Sequence, residues 1–373
     1  MTAFSSILMI DGKPAPAELL DAVQELSVEC SAEMADAFRL RLAIATTDRG
    51  DWTILSDGLF NPLTPIAVGV GTQGGSPEPL IRGYVAGQRA EISNEPGKSF
   101  LEVWGMDATV RMNREEKIVA WPDMADSDIA SAIFADYGFN PDVEQTQPTR
   151  QQAQTTTIQR GTDIQFLRRL AERNGFECYV EDDPLSGMTT AHFHPPRLDS
   201  KPQRTLLVNS GELTNVGNFR ATYDMLRPTA AKSNGLDIGA REVQTSEIDA
   251  ASLPDLGGKS THSRVSGSSL VRPARTGLFQ TGELQTLTQA VVDRSSWAVS
   301  AEGQVWTVPY GGVLRPHRTV NVSGAGDLFS GTYYVVKVLH TLDQTNYTQT
   351  FELRRNALTL TGSEAFSDTG GTA

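Results

Sequence analysis

The sequence predicts a mainly β protein built from antiparallel strands with α+β insertions, and three observations carry that expectation. Apolar and polar residues alternate with a period of two at both ends of the chain, which is the pattern of half-buried strands. Clusters of Gly, Pro and Asn separate the alternating runs and supply turn chemistry. Helical spacing is confined to a few stretches between them.

The first β block occupies residues 1–113. VQELSVEC places Leu26, Val28 and Cys30 on one face and Glu25, Ser27 and Glu29 on the other. FRLRLAIA repeats the device, with Phe38, Leu40, Leu42 and Ile44 inward and Arg39 and Arg41 outward. LTPIAVGV, LIRGYVAGQRAEI and SFLEVWGMDATVRM follow, divided by TQGGSPEP and SNEPGK. Short strands at this spacing predict a sandwich or barrel.

The middle region, 114–203, mixes helix and strand. MADSDIASAIFADYGFN predicts a helix with Ile129, Ile133 and Phe134 inward and Gly138 as its stop. A Gln/Thr-rich linker, PDVEQTQPTRQQAQT, leads to the most ordered passage in the chain, TTTIQRGTDIQFLRRLAERNGFECYVEDD. Thr162 and Gln165 match a capping box, and Asp163 suits the positive start of a helix. Ile164, Leu167, Leu170 and Ala171 form one apolar stripe, while Arg168, Arg169, Glu172 and Arg173 fall mostly off it, in water or against a partner. Gly175 supplies a left-handed stop before the strand FECYVEDD.

The second β block is expected over 204–240 and 299–362. It opens with TLLVNSGELTNVGNFRATYDM and closes with QVWTVPYG, RTVNVSG and TYYVVKVLHTL, the last paired across DQTN with NYTQTFELRRNAL. Residues 241–298 are expected as a loop-rich insertion, since the polar excursion from Arg227 to Gly282 lacks hydrophobic periodicity. One helix is expected there, ELQTLTQAVVDRSSWAV, with Leu284, Leu287, Val291 and Ala298 on one side. Residues 363–373 are expected as a flexible tail.

Composition narrows the function. A net charge of −13 over 373 residues disfavours nucleic acid and anionic membrane surfaces, both of which demand a basic face. No apolar run approaches the roughly 20 residues a bilayer needs, and MTAFSSILMIDGK lacks the features of a signal peptide. Cys30 and Cys178 lie far apart without CxxC spacing and are expected as small buried residues. HFH sets His192 and His194 on one strand face, but with no third ligand at motif spacing they are expected as surface residues and no metal is predicted. His262, His317 and His340 have no partner at motif spacing. SGAGDLFSG lacks the GK[ST] ending of a phosphate loop and predicts a turn between strands. No GxSxG or HExxH is present, no cofactor is expected, and the chain is expected not to be an enzyme. The alternative, a tail-associated cell-wall hydrolase, would need an acid pair or a metal cluster, with room only in the insertion. A carbohydrate-binding module would need exposed aromatic platforms, whereas Trp104, Trp297 and Trp306 lie in core-like periodic segments.

The passage from Thr155 to Asp183 resembles the Q-x-x-E/T-D-x-x-F-L-x-R-L-A-x-x-x-G stretch of the phage late control gene D family. That family includes the contractile-tail baseplate hub and the hub region of type VI secretion spike proteins. FRLRLA, LEVWGMDATVRMNREEK and FSGTYYVVKVLHTLDQTNYTQTFELRRNAL extend the resemblance in the same order. It implies two antiparallel tube-like β-barrel domains with a mixed α/β middle region, in a homotrimer that adapts a threefold central spike to a sixfold tail tube. Thr162, Asp163, Phe166, Leu167, Leu170, Gly175 and Tyr179 carry its structural helix and motif, and Arg168, Arg169 and Arg173 are the candidate interface residues. The implied partners are other copies of the chain, the spike, and the tail tube and inner baseplate proteins. The implied location is the tail tip of a virion or injection particle assembled in a bacterial cytoplasm. Because the chain stops soon after RRNAL, with GSEAFSDTGGTA as its tail, the resemblance implies a hub-only form whose spike is encoded separately. His317, in LRPHRTV, stands where the family pattern leads one to expect glycine.

Overall fold

The structure is a computed structural model that describes residues 4–48, 50–55, 58–72, 77–147, 156–182, 187–237, 240–262, 269–271, 278–279, 282–343, 346–364 and 366. The expected linker, 141–155, begins within the strand Asn140–Val143, while its residues 148–155 and most of the expected tail lie outside the described residues. The chain is mainly β. Among the described residues, one 13-stranded sheet draws strands from both ends of the chain.

In the first part, strand Val23–Ser31 pairs with Ala37–Ala43, and the path continues through Phe100–Met106, Glu78–Glu91 and Pro65–Thr72 to Phe4–Ile10. Leu26, Val28, Cys30, Phe38, Leu40 and Leu42 are buried together, as their alternation requires. Leu19, from the short helix Ala17–Ala22, completes that core. Strand Phe100–Met106 ends earlier than the alternation implied. The Asp107 carboxylate accepts the Thr109 N–H at 2.8 Å and its hydroxyl at 2.5 Å, and Thr109–Met112 turns helical. Such a local bond competes with the ladder.

The later strands close on themselves. Val216–Tyr223, Val299–Trp306, Tyr347–Arg355, Gly331–Leu342, Thr319–Ser323 and Gln203–Leu207 pair in that order. Asn215 forms the seam: its N–H donates to the Leu207 carbonyl at 3.1 Å. Its side chain accepts the Leu207 N–H at 2.8 Å and donates to the Thr205 carbonyl at 3.0 Å. The enclosed core includes Val299, Val305, Val320, Tyr333, Val335, Phe351 and Leu353. In QVWTVPYG the strand stops at Trp306 and Thr307–Tyr310 is helical, with Gly311 left-handed at φ 67°. Pro309 cannot donate to a ladder.

Both β parts use the same aromatic-over-glycine packing. A Cβ at Gly105 would overlap the Phe38 ring, and one at Gly87 would overlap Trp104. In the second part, Gly303 lies under Phe351 and Gly217 under Trp306. Gly87 and Gly217 both sit at register shifts, where an extra residue bends the strand. Consequently Trp104 and Trp306 cover outer faces and remain 39% and 48% exposed, contrary to the core placement expected, whereas Trp297 is buried.

The stretch expected as a loop-rich insertion contains a sheet. Thr229–Asp237 and Glu242–Ile248 pair antiparallel, Ser269–Val271 and Leu278–Phe279 add in parallel, and helix Glu283–Ser296 packs on them. The covered face of the hairpin uses small residues such as Ala231 and Ser233, which leave no hydrophobic periodicity to detect. On the helix, Leu284 and Leu287 are buried as expected, but Val292 faces inward in place of Val291, and Ala298 lies beyond the helix end.

Arg355 is fully buried. Its guanidinium donates to three carbonyls, Leu256 at 3.0 Å, Ser330 at 2.9 Å and Thr359 at 2.6 Å. A Cβ at Gly257 or Gly331 would collide with it, and Gly331 takes φ 133°. Replacing Arg355 with Leu orphans those acceptors, at about 1–3 kcal/mol each. Arg355→Leu should lower stability in denaturant unfolding by on the order of 3 kcal/mol, and Arg355→Lys by less.

Candidate functional site

Helix Asp163–Asn174 is the joint of the molecule. Ile164, Phe166, Leu167, Leu170 and Ala171 are buried in a core shared with Ile129, Ile133, Phe134, Cys178 and Phe193. Gly175 ends the helix at φ 71° and rests against Ala290 of helix Glu283–Ser296. The middle region is thereby packed onto the C-terminal half of the same chain.

The expected capping box does not form. Thr162 precedes the helix, but its hydroxyl donates to Asn113 at 2.8 Å, and Gln165 is exposed. The hydroxyl donates to this distant acceptor and does not accept from a backbone N–H of its own first turn. Asp163 instead becomes a buried anchor: Lys117 and the Tyr137 hydroxyl both donate to Oδ2 at 2.6 Å, and Gln159 donates to Oδ1 at 2.6 Å. Burial opposes its charge, but these three hydrogen bonds outweigh burial and hold its pKa below the ordinary 3.8.

The arginines divide. Arg173 chelates the Asp126 carboxylate through Nε and Nη2, and Asn174 adds a bond to Oδ2 at 2.7 Å. Arg169 is exposed and donates to the Arg160 carbonyl. Arg168 is half-buried beside Cys178 in a cavity of about 480 Å³. Glu172 pairs with Arg294 at 2.8 Å, a second tie to helix Glu283–Ser296.

Strand Glu177–Asp182 carries Tyr179 into a stack of aromatic rings. His317 lies parallel at 3.4 Å on one side and His192 at 4.4 Å on the other. His317 takes φ 58°, the left-handed conformation that a glycine at this position would adopt without strain. The imidazole is held by a 3.0 Å contact from Nδ1 to Glu177, whose carboxylate also accepts the Tyr334 hydroxyl at 2.7 and 2.8 Å. Beside the stack lies a cavity of about 660 Å³ lined by Cys30, Asp36, Asp107, Arg315 and His317. Burial, followed by the neighbouring Asp107 charge, pushes the Asp36 carboxyl up to about 7.

His192 and His194 are buried, not surface residues. Strand Asn140–Val143 pairs in parallel with Thr189–His194 and sets Asp142 opposite His192. His192 Nδ1 lies 3.0 Å from Asp142 Oδ2 and 3.3 Å from His194 Nε2, and Asp142 Oδ2 lies 3.9 Å from His194 Nε2. These are the side chains, among those described, that could hold a metal. Parallel pairing across fifty residues leaves no motif, so Asp142 was invisible in the sequence. His340 is buried against the Tyr347 hydroxyl at 2.9 Å, and burial pushes it down to about 3, a neutral imidazole. Both cysteines are buried and free.

The model of the Alg8 N-terminal domain family matches residues 2–344. The chain belongs to that family. Among solved structures it is similar to the 43 kDa tail protein of prophage MuSo2 from Shewanella oneidensis, with TM-score 0.66 and 17% identity over 95% of this chain and 99% of that one. A tail protein from Neisseria meningitidis gives TM-score 0.65 and 14% identity over 95% and 97%. The E. coli c3393 protein, a type VI secretion component described as similar to T4 tail proteins gp27 and gp5, gives 0.57 and 12% over 96% and 79%. No curated protein sequence matches. At these identities the likeness establishes a fold, and it is a tail-protein fold, as the sequence resemblance implied. Among the described residues no helix is long and apolar enough to cross a membrane.

Leu167 has no exposed surface, and Leu167→Ala should cost about 2–5 kcal/mol in denaturant unfolding. The depressed Asp163 pKa makes its contribution complete above 3.8 and lost as pH falls through the lower folded value. Asp163→Asn should therefore lower Tm at neutral pH and flatten its decline in acid, as followed by circular dichroism from pH 7 to pH 2.

Proposed function

We propose that this chain is a structural, non-enzymatic baseplate hub of a contractile tail or injection particle. Three copies form a ring in which each contributes two β units, matching a threefold central spike to a sixfold tail tube. The carrying observation is the shared aromatic-over-glycine packing, Phe38 and Trp104 over Gly105 and Gly87 in one unit, Phe351 and Trp306 over Gly303 and Gly217 in the other. Two like units per chain give six per trimer. The fold shared with the Shewanella and Neisseria tail proteins over nearly their whole length supports the same reading.

The partners in this reading are other copies of the chain, a separately encoded spike, the tail tube and inner baseplate proteins. An acidic chain of net charge −13 repels nucleic acid. In this reading Arg168 and Arg169 belong to the interface, while Arg173 is already committed to Asp126.

Light scattering coupled to size exclusion tests the assembly. The expected mass is three times the 40.4 kDa chain, either alone or after addition of the spike. A strict monomer under both conditions overturns the proposal.

A further inference from the structure

We propose that Asp142, His192 and His194 form a structural binding site for a divalent transition-metal ion of the zinc class. The inference is independent of the tail role and rests on how three lone pairs converge.

The backbone carbonyl of Pro195 lies 2.7 Å from His194 Nδ1. A carbonyl can only accept, so that nitrogen carries the hydrogen and Nε2 presents a lone pair. Asp142 Oδ2 presents another, because Arg197 occupies the opposite oxygen, Oδ1, at 2.7 Å. Both face His192 Nδ1. If His192 carried its hydrogen on Nδ1, one proton would serve two acceptors. Its Nε2 would then be a bare acceptor 3.7 Å from the Glu181 carboxylate, and that buried nitrogen has no hydrogen-bond partner. With the hydrogen on Nε2, the nitrogen points a donor toward Glu181, and Nδ1 adds a third lone pair to the other two. Three inward-facing lone pairs repel one another, and a cation between them relieves that repulsion.

The spacing suits one. Ligands about 2.0–2.1 Å from a tetrahedral ion are separated by roughly 3.3–3.4 Å. The observed separations are 3.0, 3.3 and 3.9 Å. The surroundings also match a metal centre, where outer partners orient each ligand. Pro195 fixes His194, Arg197 fixes Asp142, Glu181 faces the far nitrogen of His192, and Tyr179 stacks on the His192 ring. The Asp142 side chain is 34% exposed, which gives an ion a way in and leaves a fourth position for water. Nitrogen and carboxylate donors select zinc over calcium or magnesium. The bound ion would pin strand Asn140–Val143 to Thr189–His194, the outer edge of the middle sheet.

The experiment uses the full chain, stripped with a chelator, dialysed against Zn²⁺ and passed through gel filtration before metal analysis. One Zn²⁺ per chain and a raised Tm are expected. Asp142→Asn and His194→Gln should each weaken binding at least tenfold, with circular dichroism confirming that they fold. Co²⁺ should give the intense visible absorption of a tetrahedral site in the wild-type chain. Failure of the wild-type chain to retain Zn²⁺ overturns the proposal, as does equal retention by folded variants. If the variants do not fold, an octahedral Co²⁺ spectrum overturns it and a tetrahedral one upholds it.

Discussion

A single strand, Gly331–Leu342, holds the β architecture together because it has two different neighbours along one edge. Its first residues pair with Thr319–Ser323, and from Lys337 to Leu342 it pairs with Val23–Ser31. Its other edge pairs with Tyr347–Arg355, with a register shift between Val335 and Lys337. Backbone groups buried in a sheet must find partners, so one strand serving both β parts makes them a continuous sheet. Val338 opposite Cys30 and His340 opposite Val28 join N-terminal and C-terminal cores. A neutral His340 fits that interior, where an imidazolium would lack compensation.

The middle region is tied down by charge and polarity as well as by its apolar core. Asp163 and Asp126 are buried carboxylates with several donors each. Removing one partner from such a group costs more than the pair contributes, so these contacts specify one docking geometry for helix Asp163–Asn174. The Tyr179 stack works similarly from the other side. His317 tolerates a left-handed backbone because its ring is fixed by Tyr179 and Glu177, an arrangement of strain and compensation common where chain segments must meet closely.

What could be seen in the chain beforehand followed the strength of local periodicity. Phe38, Leu40 and Leu42 alternate with arginines, so their burial was legible, as was the stripe of Ile164, Leu167, Leu170 and Ala171. Glu242–Ile248 carries no such signal, because its side chains are half-buried or exposed on a sheet backed by small residues. The histidines of HFH looked like surface residues because their partner, Asp142, comes from a strand fifty residues away. The family pattern left one clue that proved physical: glycine expected at 317, and a left-handed backbone found there.

By itself the sequence determined the mainly β class, the inward faces of the strands and the course of the central helix, since period and burial are coupled within each element. Only the tertiary structure decided where polar groups find their partners. Thr162 turns from its own helix to Asn113, Arg173 meets Asp126, and Asp142 joins two histidines. Hydrogen bonds and ion pairs are directional and short, so they depend on the placement of distant segments to within an ångström. No local rule in the chain supplies that precision.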